Sequence, residues 1–166
     1  MNFQSFPTTV KMESIHNVDH VIERFFKCYT TVTRTACDEL ATYLVGGSVT
    51  PVAIQGGTSY TLVGGSGEDK IVQFRPKSSK LDMENMRLAR SIHGDWVADC
   101  AHCGAIGSGP SNLHVYVIQR LRGVTYFQNE DFKDGSSDAL LRRSNTIRDL
   151  AMCVERFIFS SQWDMQ

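Results

Sequence analysis

The spacing of apolar residues predicts two helices near the start of the chain. From Val18 to Tyr29 the apolar positions recur every three or four residues, and Asp19 is the expected N-cap. The same period runs from Arg34 to Leu44 and stops at the glycine pair Gly46-Gly47. The residues before the first helix are polar and irregular, so we expect a loose lead-in over residues 1–16.

After Gly47 the pattern changes from helical to strand-like. Short runs rich in Val, Ile, Thr and Tyr are separated by glycine-rich turns, which is typical of antiparallel strands. The first turn holds Gly56-Gly57, and the second covers residues 64–69. We therefore predict a meander of three strands, over Thr50–Ile54, Ser59–Val63 and Lys70–Phe74.

The rest of the chain predicts an inserted helix, two more strands and a long last helix. Leu81 to His93 restores the helical period and is closed by Gly94. Further strands are expected over Val97–Ile106 and Leu113–Leu121. Ala139 to Phe159 is amphipathic. We expect its apolar residues to face the core: Leu140, Leu141, Ile147, Leu150, Ala151, Val154 and Ile158.

This order of elements predicts an α+β fold. Its centre is a five-stranded antiparallel sheet with one helix inserted after the third strand. N-terminal helices and a long C-terminal helix flank the sheet. A sheet of this kind with one inserted helix is the small lobe of the protein-kinase-like fold.

Composition and charge narrow the class of partner. The chain has 166 residues, of which 42% are hydrophobic and 21% charged, enough for a packed core. The formal net charge is −1 and no basic block is visible, so we expect neither nucleic acid nor an anionic membrane as a partner. No apolar stretch suits a signal peptide or a membrane span, and five cysteines indicate reduced thiols. We predict a cytoplasmic protein.

Several stretches, taken in order, carry a family resemblance. Residues 50–61 and 70–75 are followed by residues 81–95, by Val115-Tyr116-Val117-Ile118 running to Tyr126, and by residues 145–159. This set resembles fungal aminoglycoside phosphotransferase-like proteins, which have the protein-kinase-like fold, over roughly residues 34–166. The resemblance implies a small lobe with its N-terminal helices over residues 17–126. It also implies an acidic loop and the first helix of a truncated large lobe over residues 127–166.

The resemblance implies an ATP site. In kinase-like folds the first turn of the sheet lies over the phosphates, and glycine lets backbone N–H groups approach the phosphate oxygens at φ values that a side chain would oppose. The third strand supplies a cation, held by a carboxylate of the next helix, and the chain after the fifth strand contacts adenine. The implied residues are Gly56, Gly57, Thr58 and Ser59 for the phosphates, Gln73, Arg75 and Glu84 for the cation and its partner, and Gln119 and Leu121 for adenine.

Three of these assignments have a simpler alternative. Gln73 is neutral at the cation position, so Arg75, on the same face of the strand, would take over that role. The alternative for Arg75 is a solvated edge residue. The glycine pair can equally form a plain hairpin turn, and residues 119–121 can be an ordinary strand end.

Phosphoryl transfer in this fold needs a catalytic Asp, an Asn for Mg²⁺ and a second metal-binding Asp. The family carries them after the long helix, where this sequence has only residues 160–166. We therefore expect no catalytic residue or metal ligand here, an inactive isolated chain with ATP as its cofactor, and Mg²⁺ only in a complete form. His93-Gly94-Asp95 has the family triplet, but Cys100 replaces the Asn five residues later. Asp131-Phe132 is an equally weak echo of the metal-binding segment.

Two classes of function stay open. The first is an aminoglycoside phosphotransferase-like domain that in complete form transfers the ATP γ-phosphoryl group to a small-molecule hydroxyl. The alternative is a non-catalytic nucleotide- or partner-binding remnant, whose uncovered large-lobe face would favour self-association. Cys100-Ala101-His102-Cys103 has the spacing of a zinc knuckle, but no second ligand pair accompanies it, which favours a plain strand.

Overall fold

A five-stranded antiparallel sheet forms the centre of the fold. In this computed structural model we describe residues 18–123 and 135–161, with side chains as far as residue 152. The helices are α1 (Val18–Tyr29), α2 (Arg34–Val45), α3 (Met83–His93) and α4 (Ser137–Ser161). The strands are β1 (Val49–Pro51), β2 (Tyr60–Gly64), β3 (Lys70–Pro76), β4 (Cys100–Ile106) and β5 (Leu113–Gln119).

The strand order is β1-β2-β3-β5-β4, and every neighbouring pair is antiparallel. The first three strands form the predicted meander. α3 then carries the chain away from β3, so that β5 rather than β4 pairs with β3. The predicted α+β class, with a five-stranded antiparallel sheet, one inserted helix, N-terminal helices and a long C-terminal helix, is confirmed.

Several predicted boundaries differ from the structure by one to three residues. β1 ends at Pro51 instead of Ile54, because beyond that point the Gln55 side chain, and not more of β1, bonds the backbone of β2. β4 begins at Cys100 instead of Val97, because a 3₁₀ turn over Gly94–Trp96 follows α3. Asp19 lies in the first turn of α1 and is not its N-cap.

The core lies between the sheet and the N-terminal helices. Alternate residues of the central strands point to one face, which we name the first face. There Tyr60 and Phe74 meet Ile22 and Phe25 of α1, all at most 2% exposed. α2 packs against β1, β2 and β3. Its start is fixed by Thr33, whose hydroxyl accepts from the Ala36 N–H at 3.2 Å. The two helices and the first face therefore form one packed unit.

The apolar stripe of α4 does not face the core in the part of the chain whose side chains are described. In that part of α4 the one buried side chain is Ala139, which is 1% exposed. Ile147 is 68% exposed and Leu150 is 62% exposed, and Leu140, Leu141 and Ala151 are also exposed. The expectation that these residues pack inward was wrong, because amphipathic periodicity defines a stripe but not what covers it. Val154 and Ile158 lie outside the described side chains.

None of the helices in the described ranges is both long enough and apolar enough to cross a bilayer.

Candidate nucleotide site

The predicted cation and its neighbour lie on the opposite face of the sheet, which we name the second face. On β3, Gln73 and Arg75 alternate with the buried residues Val72 and Phe74. The Arg75 guanidinium donates to the Gln73 side-chain oxygen at 2.9 Å, so the two side chains lie together as predicted. Both are half-buried. The Gln73 side chain thus helps to hold the Arg75 guanidinium in place.

The segment between β1 and β2, residues 52–59, is a folded loop held by one glutamine. The Gln55 amide donates to the carbonyl oxygens of Thr61 at 2.7 Å and Val52 at 3.2 Å. Its side-chain oxygen accepts the Thr61 N–H at 2.9 Å. The side chain therefore bonds β2 as another strand would, beyond the point where β1 ends. We call these contacts the Gln55 clamp, and residues 52–59 the glycine loop.

A serine joins the glycine loop to the arginine of β3. The Ser79 hydroxyl donates to the Thr58 carbonyl at 2.9 Å, and the Ser79 carbonyl accepts from Arg75 Nε at 2.7 Å. Ser79 lies in a 3₁₀ turn after β3, flanked by the exposed residues Lys77 and Lys80. This end of the sheet therefore carries Arg75, which Ser79 links to the glycine loop, and two exposed lysines that follow it in the sequence.

The glycines of this loop do not have the backbone conformation that the prediction assumed. Neither Gly56 nor Gly57 has a positive φ, whereas Gly65 and Gly67 in the next turn do. Among the described residues, no protein acceptor is bound by the N–H groups of Gly56, Gly57 and Thr58, all three of which are exposed. The loop thus offers free amide donors, while a side chain at Gly57 would meet open space.

Glu84 does not hold the arginine. It is exposed in the first turn of α3, whose N-cap Asp82 accepts from the backbone N–H groups of Glu84 and Asn85 at 3.0 and 3.1 Å. Within the described ranges, no ion pair joins Glu84 to Arg75. Glu84 instead lines an open cleft of about 460 Å³ together with Lys80, Leu81, Asp82, Met83 and Arg87.

The chain after β5 has most of its backbone donors engaged. The Gln119 N–H donates to the Asp99 carbonyl and the Arg120 N–H to the Asp69 carbonyl, both at 2.8 Å. These two groups are therefore not available to an adenine edge. Leu121 is 42% exposed and lines a second cleft, of about 500 Å³, with residues 66–69 and 120–123.

The implied phosphate and adenine contacts lie at opposite ends of the strands. Tyr60, next to the glycine loop, pairs with Phe74, whereas Gln119 pairs with Lys70. The four residue-to-residue steps from Lys70 to Phe74 span about 13 Å. Only an extended ligand could reach both ends, and the Glu84 and Leu121 clefts share no residue. The structure brings together the loop, Gln73 and Arg75, but not Glu84 or residues 119–121.

Asp95 of the His93-Gly94-Asp95 triplet forms its ion pair with Arg90, at 3.2 Å, and not with Arg75. The Asp95 side chain is almost fully exposed. Asp131-Phe132 lies outside the described residues. In the part of the chain we describe, no group of three or more His, Cys, Asp or Glu side chains is arranged to hold a metal. The four described cysteines are free, and burial raises the pKa of the Cys37 thiol to about 12.

Two residues that position the loop were missed from the sequence. Gln55 and Ser79 act through their side chains on backbone groups at Thr61 and Thr58. Glutamine in a turn and serine after a strand carry no periodic signal. The Ser79 contact also spans twenty-one positions. Only the folded chain reveals these contacts.

Comparisons with protein-family models, with curated proteins and with solved structures found no significant match to this chain. The family resemblance therefore stays a prediction.

Proposed function

We propose that this chain is a nucleotide-binding unit of the kinase-like kind, which binds the phosphates of ATP at the glycine-loop end of its sheet. In complete form such a unit would transfer the ATP γ-phosphoryl group to a small-molecule hydroxyl, as the resemblance implies. One observation carries the proposal. Within the described residues, the N–H groups of Gly56, Gly57 and Thr58 have no protein acceptor, and Ser79 bonds both the Thr58 carbonyl and Arg75.

The chemistry of this end suits a polyphosphate. Successive backbone N–H groups in a turn can form an anion-binding concavity, and residues 57–58 form a turn. The planar guanidinium of arginine matches phosphate oxygens. Lys77 and Lys80, two and five positions after Arg75 in the sequence, add positive charge. The adenine contact has weaker support, because the N–H groups of Gln119 and Arg120 are already bonded. We therefore expect the phosphates to contribute more to binding than the base does.

A ligand series tests this proposal. The protein is unfolded thermally with ATP, ADP, AMP or adenosine, and stabilisation should fall in that order. A ligand at one hundred times its Kd stabilises by about 2.7 kcal/mol. The Arg75→Met variant should lose the ATP response, whereas the matched control Arg87→Met, on the exposed side of α3, should keep it. Equal stabilisation by ATP and adenosine, or none by either, would contradict the proposal.

A second candidate function is partner binding through α4. Leu140, Leu141, Ile147 and Leu150 are each more than half exposed, and exposed apolar stripes often mark interaction surfaces. We take the occupant to be the same stripe of α4 in a second copy of the chain. Sedimentation of the parent and of Ile147→Glu tests this, since a dimer through α4 should become a monomer in the variant. A parent that is monomeric at high concentration would remove this candidate.

A further inference from the structure

Two histidines to which no nucleotide contact is assigned meet on the second face of the sheet, and one of them pairs across the strands with Arg75. His102 of β4 is exposed and His114 of β5 is half-buried. His102 Nε2 lies 3.3 Å from His114 Nδ1, and the two rings have their centroids 5.4 Å apart. The nitrogens that face each other thus belong to adjacent strands and are accessible from solvent.

A bulge in β4 brings the two rings together. His102 pairs with Tyr116, whereas His114 pairs with Ala105, because the register shifts between His102 and Ala105. The histidines are therefore diagonal neighbours, within reach of long or aromatic side chains. The His102 ring also packs on Tyr116, with centroids 5.0 Å apart. Tyr116 is fully buried, and its hydroxyl accepts the Leu81 N–H at 3.2 Å. The His102 ring therefore packs on a tyrosine whose own position is held by burial and by a hydrogen bond.

We propose that His102 Nε2 and His114 Nδ1 form a two-imidazole site for a zinc-class transition-metal ion. Zinc binds imidazole nitrogen at about 2.0–2.1 Å with tetrahedral angles, which places two such nitrogens about 3.3 Å apart. The observed spacing of 3.3 Å matches that value. Water would complete the coordination.

To bind the ion, the pair must change tautomer and turn both nitrogen lone pairs toward one point. Without metal, one ring donates its proton to the facing nitrogen of the other. On binding, the donating ring gives up that proton and takes one at its other nitrogen, so that both rings stay neutral and two lone pairs face the ion. The pKa of His114 is lowered, first by burial and then by His102, Lys80 and Lys77, which favours the neutral ligand form.

Nearby positive charge opposes the ion and limits its affinity. Lys77 and Lys80 act on His114, and Arg75 is its cross-strand partner on β3. Both lysines are exposed, so solvent and salt screen their charge. We therefore expect zinc binding weaker than in a four-ligand structural site.

Zinc titration of the full chain by calorimetry, with Cu²⁺ as a spectroscopic probe, tests the site. The parent should bind one Zn²⁺, and the Cu²⁺ electron paramagnetic resonance spectrum should show nitrogen ligands. His102→Gln and His114→Gln should each lower the zinc affinity at least about tenfold, since loss of even an outer-shell partner costs that much. The double variant should lose little more, because a chelate needs both rings.

Two matched controls complete the design. His20→Gln, on the exposed face of α1, should bind zinc like the parent. Cys103→Ser should also bind zinc like the parent, which would exclude the neighbouring exposed thiol as the ligand. Circular dichroism checks that each variant is folded. We expect each one to fold, because the substituted side chains are at least partly exposed. A parent that binds no zinc, or a single histidine variant that binds it with parental affinity, would overturn the proposal.

Discussion

The Gln55 clamp allows the most quantitative prediction about the glycine loop. In Gln55→Ala the Thr61 N–H loses its acceptor, and Thr61 is only 7% exposed. A buried donor left unsatisfied costs about 1–3 kcal/mol. The Thr61 carbonyl keeps the Val52 N–H as a partner at 3.2 Å, and Val52 itself is half-buried, so the other two lost bonds add little. We expect a loss of about 2 kcal/mol in the free energy of unfolding.

Urea denaturation followed by circular dichroism measures this loss. A thermal scan should show Tm lowered by about 4–8 °C, given about 2–4 °C per kcal/mol for a chain of this size. Ile54→Ala is the matched control in the same loop, because Ile54 is 59% exposed, and it should change the stability by less than about 0.5 kcal/mol. A Gln55→Ala variant as stable as the parent, or one no less stable than Ile54→Ala, would refute the reasoning.

Three further predictions concern the core, a thiol and a histidine. Tyr60→Phe removes hydroxyl bonds to Asp38 at 2.7 Å and Arg34 at 3.3 Å, so the free energy of unfolding should fall by about 1.5 kcal/mol, while Tyr43→Phe at an 82% exposed site should not change it. Mass spectrometry after brief alkylation of the native protein should find Cys37 unmodified, because burial raises its thiol pKa to about 12. The pKa of His114 is lowered in the folded state, chiefly by burial. Below about pH 6.5 the unfolded chain therefore binds more protons than the folded one, and the free energy of unfolding decreases as the pH decreases. His114→Gln should reduce this loss in urea titrations with a chelator present, and an unchanged pH dependence would contradict it.

Periodicity was enough to predict the sheet and its inserted helix, because alternation and helical spacing reflect burial directly. It also placed Gln73 and Arg75 on one face, since side chains along a strand alternate. The same reasoning could not tell which way α4 turns its apolar stripe, or that Glu84 stays exposed away from Arg75. Both depend on how separate elements pack, which local patterns do not encode.

The backbone conformation of the glycine loop and the contacts that hold it could not be predicted from the sequence, for a related reason. Glycine pairs indicate a turn, but not which glycines need a positive φ; those are Gly65 and Gly67, not Gly56 and Gly57. The loop is held instead by the Gln55 amide, a side chain that takes the place of a strand. Contacts between a side chain and a distant backbone group follow from the folded geometry alone.

Amide chemical shifts test the proposed phosphate site most directly. The full chain is labelled with ¹⁵N and titrated with ATP, and with tripolyphosphate to separate the phosphates from the base. We predict saturable shifts of the Gly56, Gly57 and Thr58 amides with both ligands, and their loss in Arg75→Met. Shifts confined to residues around Leu121, or no saturable shift in the loop, would contradict the account.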